Sequence, residues 1–313
     1  MDTLRKIFQK SNIDAQVLYD EPLARRTSFR IGGPADVFAL PRNAGALAAV
    51  MRAARDAGAP MAVLGGGANV LASDAGFRGV VVCTSLMDAV ELVPSDAGSA
   101  ILRAAAGAPV TALVRAALAR GLAGIEFAAG LPGSAGGAAY MNARCYDREM
   151  ADILASVDFL DANLESATMA PERGEWAYKR TPFMPGGRLE GSTIVGASFR
   201  LEQGDASALA ARAAELEADR RAKGHFDYPC AGSMFKNDRR FGRPTGKILD
   251  ELGFRGRKIG GAMVSPKHAN IFVNAGGARA SDMLALVRAA QAAARERFGF
   301  ELEPEVVLLG EFQ

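Results

Sequence analysis

The chain has 313 residues, 49% of them hydrophobic and 23% charged, with a net charge of only +2. These are globular values that exclude a disordered polyelectrolyte, and the length supports two or three lobes around a sizeable core. No basic stripe interleaved with aromatics is present, which argues against a nucleic-acid partner.

Met1–Lys10 lacks the apolar run of a signal peptide and reads as a short amphipathic helix. The longest apolar stretch, Ala104–Val114, is too short to span a bilayer and contains Gly107 and Pro109. The expectation is a soluble, cytoplasmic chain with no membrane partner. Ala35–Leu40 predicts a strand, and Asn43 offers an N-cap for a helix over Ala44–Ala57 that Gly58 closes. Met61–Leu64 and Gly79–Cys83 predict short strands around Gly65-Gly66-Gly67-Ala68-Asn69-Val70-Leu71, an α/β pattern. A second block opens near Ile101–Ala104 and continues in a helix over Val110–Arg120, ended by Gly121. A glycine-broken run over Gly124–Asp152 follows, and then strands over Ile153–Leu160 and Ser192–Leu201. Ala206–Lys223 reads as a connecting helix. Beyond it come a short helix over Gly246–Leu252, strands near Lys258–Val264 and Ala269–Val273, a helix over Ser281–Phe298 with Ser281 as N-cap, and a strand over Val306–Leu309.

Cys83, Cys145 and Cys230 are far apart, and so are His225 and His268, which argues against a disulfide framework or a metal site. Two glycine segments miss the standard nucleotide motifs. Gly65–Val70 lacks the third glycine of a dinucleotide fingerprint, and Gly242–Ile248 is one residue short of a P-loop, with Ile248 where a hydroxyl must reach magnesium. Consecutive glycines can still present bare amides to phosphate oxygens. Gly65–Asn69 and Gly130–Ala138 both suit that use, or tight turns alone, and the pair of them favours a large phosphate-bearing cofactor. Ser233, in Ala231–Asn237, and Glu305, in Leu302–Val306, then read as a proton donor and an acid/base partner set against that cofactor.

Seven segments carry a resemblance, in order, from about residue 20 to 310: Thr27–Ala35, Leu64–Leu71, Gly76–Gly79, Gly130–Ala143, Ala231–Asn237, Val264–Asn274 and Leu302–Val306. Together they resemble the UDP-N-acetylenolpyruvoylglucosamine reductase family. The resemblance implies an α+β fold: a two-lobed FAD-binding unit of the vanillyl-alcohol-oxidase type, over residues 1–85 and 86–204, with an α+β substrate domain over 205–313. It implies NADPH as co-substrate, non-covalent FAD, and reduction of the enol ether of UDP-N-acetylglucosamine-enolpyruvate to UDP-N-acetylmuramate for peptidoglycan. The alternative is another FAD-dependent oxidoreductase of the superfamily, or a catalytically impaired FAD-binding protein.

By resemblance, Ser233 donates the proton and Glu305 polarises the substrate carboxylate or relays protons. The cofactor residues implied are Arg30, Gly65, Gly66, Gly67, Ala68, Asn69, Val70, Leu71, Gly130, Pro132, Gly133, Ser134, Gly136, Gly137, Ala138 and Asn142. Lys236, Asn237 and Tyr178 are implied in substrate binding; Lys236 would stabilise the serine alkoxide or hold phosphate. The family's Tyr-Arg-x-Ser segment is here Tyr178-Lys179-Arg180-Thr181. Strict register gives Lys179 the arginine's place, and a shifted strand would turn Arg180 inward instead, since neighbouring strand residues face opposite sides. Arg144 and Asp147 stand where the family commonly has glycine, and Gly224-His225 where it has Gln-Pro.

Overall fold

Asn43 caps its helix as its short polar side chain requires: its Oδ1 accepts the Ala46 amide at 2.8 Å, and the helix runs Ala44–Asp56 before Gly58 turns it at φ 62°. The computed structural model describes residues 2–10, 13–95, 98–172 and 174–312, so the N-terminal helix is Asp2–Lys10 and Met1 lies outside the described residues. The described chain divides into two compact units, one of residues 1–19, 37–66 and 79–218, the other of residues 20–36, 67–78 and 219–313.

The first unit holds two cores. In one sheet the strands run Ala15–Pro22, Pro34–Pro41, Phe77–Cys83 and Met61–Leu64 in spatial order. Met61–Leu64 pairs parallel with the next strand, Met61 opposite Val80 and Leu64 opposite Cys83. Helix Ala44–Asp56 buries Leu47, Val50 and Met51 with Val37, Val80 and Val82. The second sheet orders Ser166–Met169, Leu154–Leu160, Thr193–Gln203, Ser99–Ala105 and Val90–Pro94, antiparallel throughout. Leu113, Val114 and Ala117 of helix Val110–Leu118 pack on this sheet's apolar face. Helix Ala206–Ala222 is more than a connector, because Ala213 and Leu216 belong to this core.

In the second unit, antiparallel strands Cys230–Ser233, Ile271–Asn274, Ala262–Val264 and Lys258–Ile259 form a sheet in that order. Helix Ala280–Phe298 presses Met283, Leu286, Val287 and Ala290 into its core. Val70–Ala72 pairs parallel with Val307–Leu309 beside it. Among the described residues, no helix is long and apolar enough to cross a membrane.

Two readings of the sequence need correction here. Lys258–Val264 is a hairpin rather than one strand, because Gly260, at φ 52°, reverses the chain between its halves. Ser281 is not an N-cap: the helix begins at Ala280, and Asp74 accepts the amides of Ala280 (2.7 Å) and Ser281 (3.1 Å). A carboxylate remote in sequence thus satisfies donors that a local hydroxyl was expected to serve.

Candidate active site

In the first unit the two glycine segments meet. A Cβ on Gly65 would lie 2.5 Å from Ser134 Oγ, and one on Gly66 2.7 Å from Gly133 Cα, so only glycine allows this approach. The Gly66 amide points at Ser134 Oγ at 3.3 Å, and that hydroxyl also caps the short helix Ala135–Tyr140 through the Gly137 amide. Gly130 and Gly133 take φ of 70° and 106°, with Pro132 between them. No carboxylate occurs in Gly65–Leu71 or Gly130–Ala138. Bare backbone, a hydroxyl and no opposing negative charge fit a pyrophosphate-bearing group such as FAD. Gly136 has a second reason for being glycine, since its Cβ would strike Ala106 at 2.8 Å; Ala138, two residues on, is buried.

Asn142 is fully buried at φ 39°. Its Nδ2 donates to the Ala177 carbonyl at 3.1 Å and its Oδ1 accepts the Ala151 amide at 3.0 Å. This staples the glycine segment's exit to the turn that carries Tyr178, Lys179 and Arg180. That turn corrects the strand expectation. Ala177 and Arg180 exchange two backbone hydrogen bonds (3.0 and 3.1 Å), leaving Tyr178 and Lys179 at its tip, with Lys179 left-handed at φ 53°. Alternation of faces therefore does not govern the choice between the cations. Arg180 is exposed and donates to the Gly174 carbonyl, whereas Lys179 is half-buried with Nζ 5.8 Å from the Tyr178 ring centroid. The buried Thr181 hydroxyl donates to the Tyr140 carbonyl.

The second unit interlocks Ser233 and Glu305. A bulge between the Cys230–Val273 and Ser233–Ile271 pairs, with Gly232 at φ 76°, re-aims the end of the strand that carries Ser233. The following residues pair with the C-terminal segment: the Glu305 amide donates to the Met234 carbonyl (2.8 Å) and the Lys236 amide to the Glu303 carbonyl (2.9 Å). Asn69 closes the other flank, donating from Nδ2 to the Glu305 carbonyl at 3.0 Å. Ser233 is half-buried, and its hydroxyl has no hydrogen-bond partner among the described residues. Lys236 forms an ion pair with Glu303.

Neighbouring loops are fixed from the same frame. The Ser28 amide donates to the Gly67 carbonyl, and its hydroxyl reaches the Ala68 carbonyl at 3.4 Å. Arg30 is exposed at φ 55°, Leu71 is buried in its strand, and Val70 is half-buried beside it. Thr245, from the segment that imitates a P-loop, is fully buried: its amide donates to Asn237 Oδ1 (2.9 Å) and its hydroxyl to the Lys236 carbonyl (2.7 Å). That segment positions Lys236 and Asn237.

Two residues escaped the sequence reading. Asn270 is buried and grips the Phe235 backbone twice, accepting its amide (3.0 Å) and donating to its carbonyl (2.8 Å). Asn274 donates to the Phe29 carbonyl at 3.0 Å. The available signal was two asparagines bracketing the apolar run Ile271–Val273, where buried amides need partners.

The histidines are neighbours rather than isolated, with ring centroids 6.5 Å apart. Burial, assisted by Arg220 and the facing His268, lowers the His225 pKa to about 4, and burial lowers His268 as well. The unfolded chain therefore binds a proton that folded His225 refuses between 6.5 and about 4. Stability falls as pH drops through that window, by on the order of 2 kcal/mol. His225→Gln should flatten this part of the pH profile in urea unfolding; an unchanged slope would discard the assignment. Among the described residues, no cluster of three or more His, Cys, Asp or Glu could hold a metal ion.

Known proteins match along the whole described architecture. Residues 35–165 match the FAD binding domain family, and residues 224–309 match the C-terminal domain of UDP-N-acetylenolpyruvoylglucosamine reductase. The reductase of that name from Anaeromyxobacter sp. (strain K) is 42% identical over 94% of this chain and 86% of its own length. The one from Treponema denticola is 35% identical over 98% and 96%. The crystal structure of the Thermus caldophilus enzyme superposes with a TM-score of 0.77 at 29% identity, covering 94% of this chain and 98% of that one. By sequence and by fold, this chain belongs to the UDP-N-acetylenolpyruvoylglucosamine reductase family.

Proposed function

We propose that this protein is an FAD-containing, NADPH-dependent oxidoreductase that converts UDP-N-acetylglucosamine-enolpyruvate to UDP-N-acetylmuramate in peptidoglycan precursor synthesis. The observation that carries the reading is the interlock of the Ser233 and Glu305 segments, which holds a hydroxyl and a carboxylate on one backbone frame. FAD, bound without a covalent link, supplies the hydride-transfer chemistry. Residues 1–85 and 86–204 form its two binding lobes, with Gly65–Asn69 and Gly130–Ala138 at the phosphates. Residues 205–313 form the substrate domain, where Lys236 and Asn237 hold the sugar nucleotide.

Hydride addition at the terminal enolpyruvyl carbon leaves an electron pair delocalised into the carboxylate. Lys179 stabilises that charge, its half-buried ammonium facing a weaker water screen than the exposed Arg180. Ser233 Oγ gives its proton to the α carbon, which completes the saturated ether, and Glu305 polarises the carboxylate or relays the replacement proton. NADPH and a soluble sugar nucleotide as substrates support a cytoplasmic reaction that needs no nucleic-acid or membrane partner.

An anaerobic experiment tests this. The yellow holoprotein is bleached with NADPH and mixed with UDP-N-acetylglucosamine-enolpyruvate. Rapid return of the flavin colour with formation of UDP-N-acetylmuramate is expected; flavin that stays reduced rejects the assigned substrate.

A further inference from the structure

We propose that Arg144 is a second carboxylate-orienting cation, acting with Lys179 on the enolpyruvyl carboxylate of the substrate. The proposal rests on the reaction assigned above and adds a residue to it.

Arg144 begins the hairpin of Arg144–Cys145 with Arg148–Glu149, which reverses at Tyr146 and Asp147. Both of those residues are left-handed, at φ 51° and 60°. Lys179 occupies the left-handed position of a separate turn. The two segments are joined at one buried point, the 3.1 Å hydrogen bond from Asn142 Nδ2 to the Ala177 carbonyl. Arg144 lies two residues beyond Asn142, and Lys179 two residues beyond Ala177. The staple therefore fixes the origin of both side chains, and they reach the same ring. Arg144 Cζ and Lys179 Nζ each lie 5.8 Å from the Tyr178 centroid.

Both cations neighbour one ring, so a substrate anion bound beside that ring meets the charge of each. Among the described residues, Arg144 pairs with the Asp147 carboxylate at 3.2 Å, and the Asp147 side chain is 99% exposed. A pair screened to that extent is weakly held and engages one of the five guanidinium donors. Lysine supplies a point charge, while a guanidinium supplies a planar fork that matches a carboxylate. The charge that develops in the proposed reaction spreads over both carboxylate oxygens, so a fork and a point charge together cover what Lys179 alone leaves open.

The test uses FAD-loaded protein and the enolpyruvyl sugar nucleotide, with four variants: Arg144→Met, Lys179→Met, the double variant, and Asp147→Asn. Two quantities are read: the rate of flavin reoxidation by substrate, and the Kd for substrate of the oxidised enzyme by calorimetry. Arg144→Met is expected to slow reoxidation at least tenfold and weaken binding, with flavin reduction by NADPH unchanged. The double variant should lose less than the product of the two single losses. Asp147→Asn removes the ion pair without removing the cation, and should hold or raise the rate. If wild-type protein turns over but Arg144→Met stays within twofold, or Asp147→Asn falls as far as Arg144→Met, the proposal is overturned while the assigned reaction stands. Wild-type protein that fails to reoxidise rejects the reaction itself.

Discussion

Ser233→Ala is expected to leave NADPH-driven bleaching of the flavin intact while slowing product formation by about 10²–10⁴-fold, the usual worth of a positioned proton donor. The substitution is structurally mild. It keeps the Cβ and the backbone pairing with Ile271, and the bulge that aims residue 233 depends on Gly232, not on the hydroxyl. Stopped-flow measurement separates the two half-reactions. Loss confined to reoxidation by the enolpyruvyl substrate assigns the proton to Ser233. Equal loss in both half-reactions, or full reoxidation, would remove Ser233 from the chemistry. Serine is a weak acid in water, so the effect also depends on the neighbouring frame, in which Glu305 and Asn69 are tied by a 3.0 Å hydrogen bond.

Gly67→Ala should be a strongly damaging single-methyl change, and Gly58→Ala its control. Both glycines have φ of 62°, so both replacements carry the same left-handed strain. Their surroundings differ. A Cβ at Gly58 meets nothing within 4 Å, whereas at Gly67 it would lie 2.0 Å from the Arg26 carbonyl oxygen and 3.0 Å from its carbon. Backbone cannot swing aside as a side-chain end can, so the Arg26–Ser28 segment must move, and with it the hydrogen bond from Ser28 to Gly67. The expected cost is about 2–5 kcal/mol for Gly67→Ala and about 1 kcal/mol for Gly58→Ala. Thermal unfolding and the flavin content of purified protein read this directly. Gly67→Ala purified with full flavin and a wild-type midpoint would show that the close approach is dispensable.

Elements with a buried face were legible from sequence. Pro34–Pro41 reads as a strand because nearly all of it is buried, and Ala44–Asp56 as a helix because a cap and a closing glycine bracket an apolar stripe. Three of the strands that escaped, Ala15–Pro22, Val90–Pro94 and Ser166–Met169, lie at sheet edges. An edge strand with one solvated side carries no complete alternation; Ser166–Met169 buries only Met169. Tyr178–Arg180 failed differently. Its turn is imposed by Asn142 from elsewhere in the chain, and a lysine with positive φ leaves no local sign in sequence.

The amino-acid sequence by itself determined the family, the glycine segments, and the identities of Ser233 and Glu305. Residue types at fixed order suffice where chemistry demands a hydroxyl, a carboxylate or a missing Cβ. Only the tertiary structure decided which groups share a frame. It joined Gly66 to Ser134, Glu305 to Met234 and Asn69, and Arg144 with Lys179 to one tyrosine ring. Those links are buried amides and close backbone approaches between distant segments, and such partners are selected by packing rather than by neighbours in sequence.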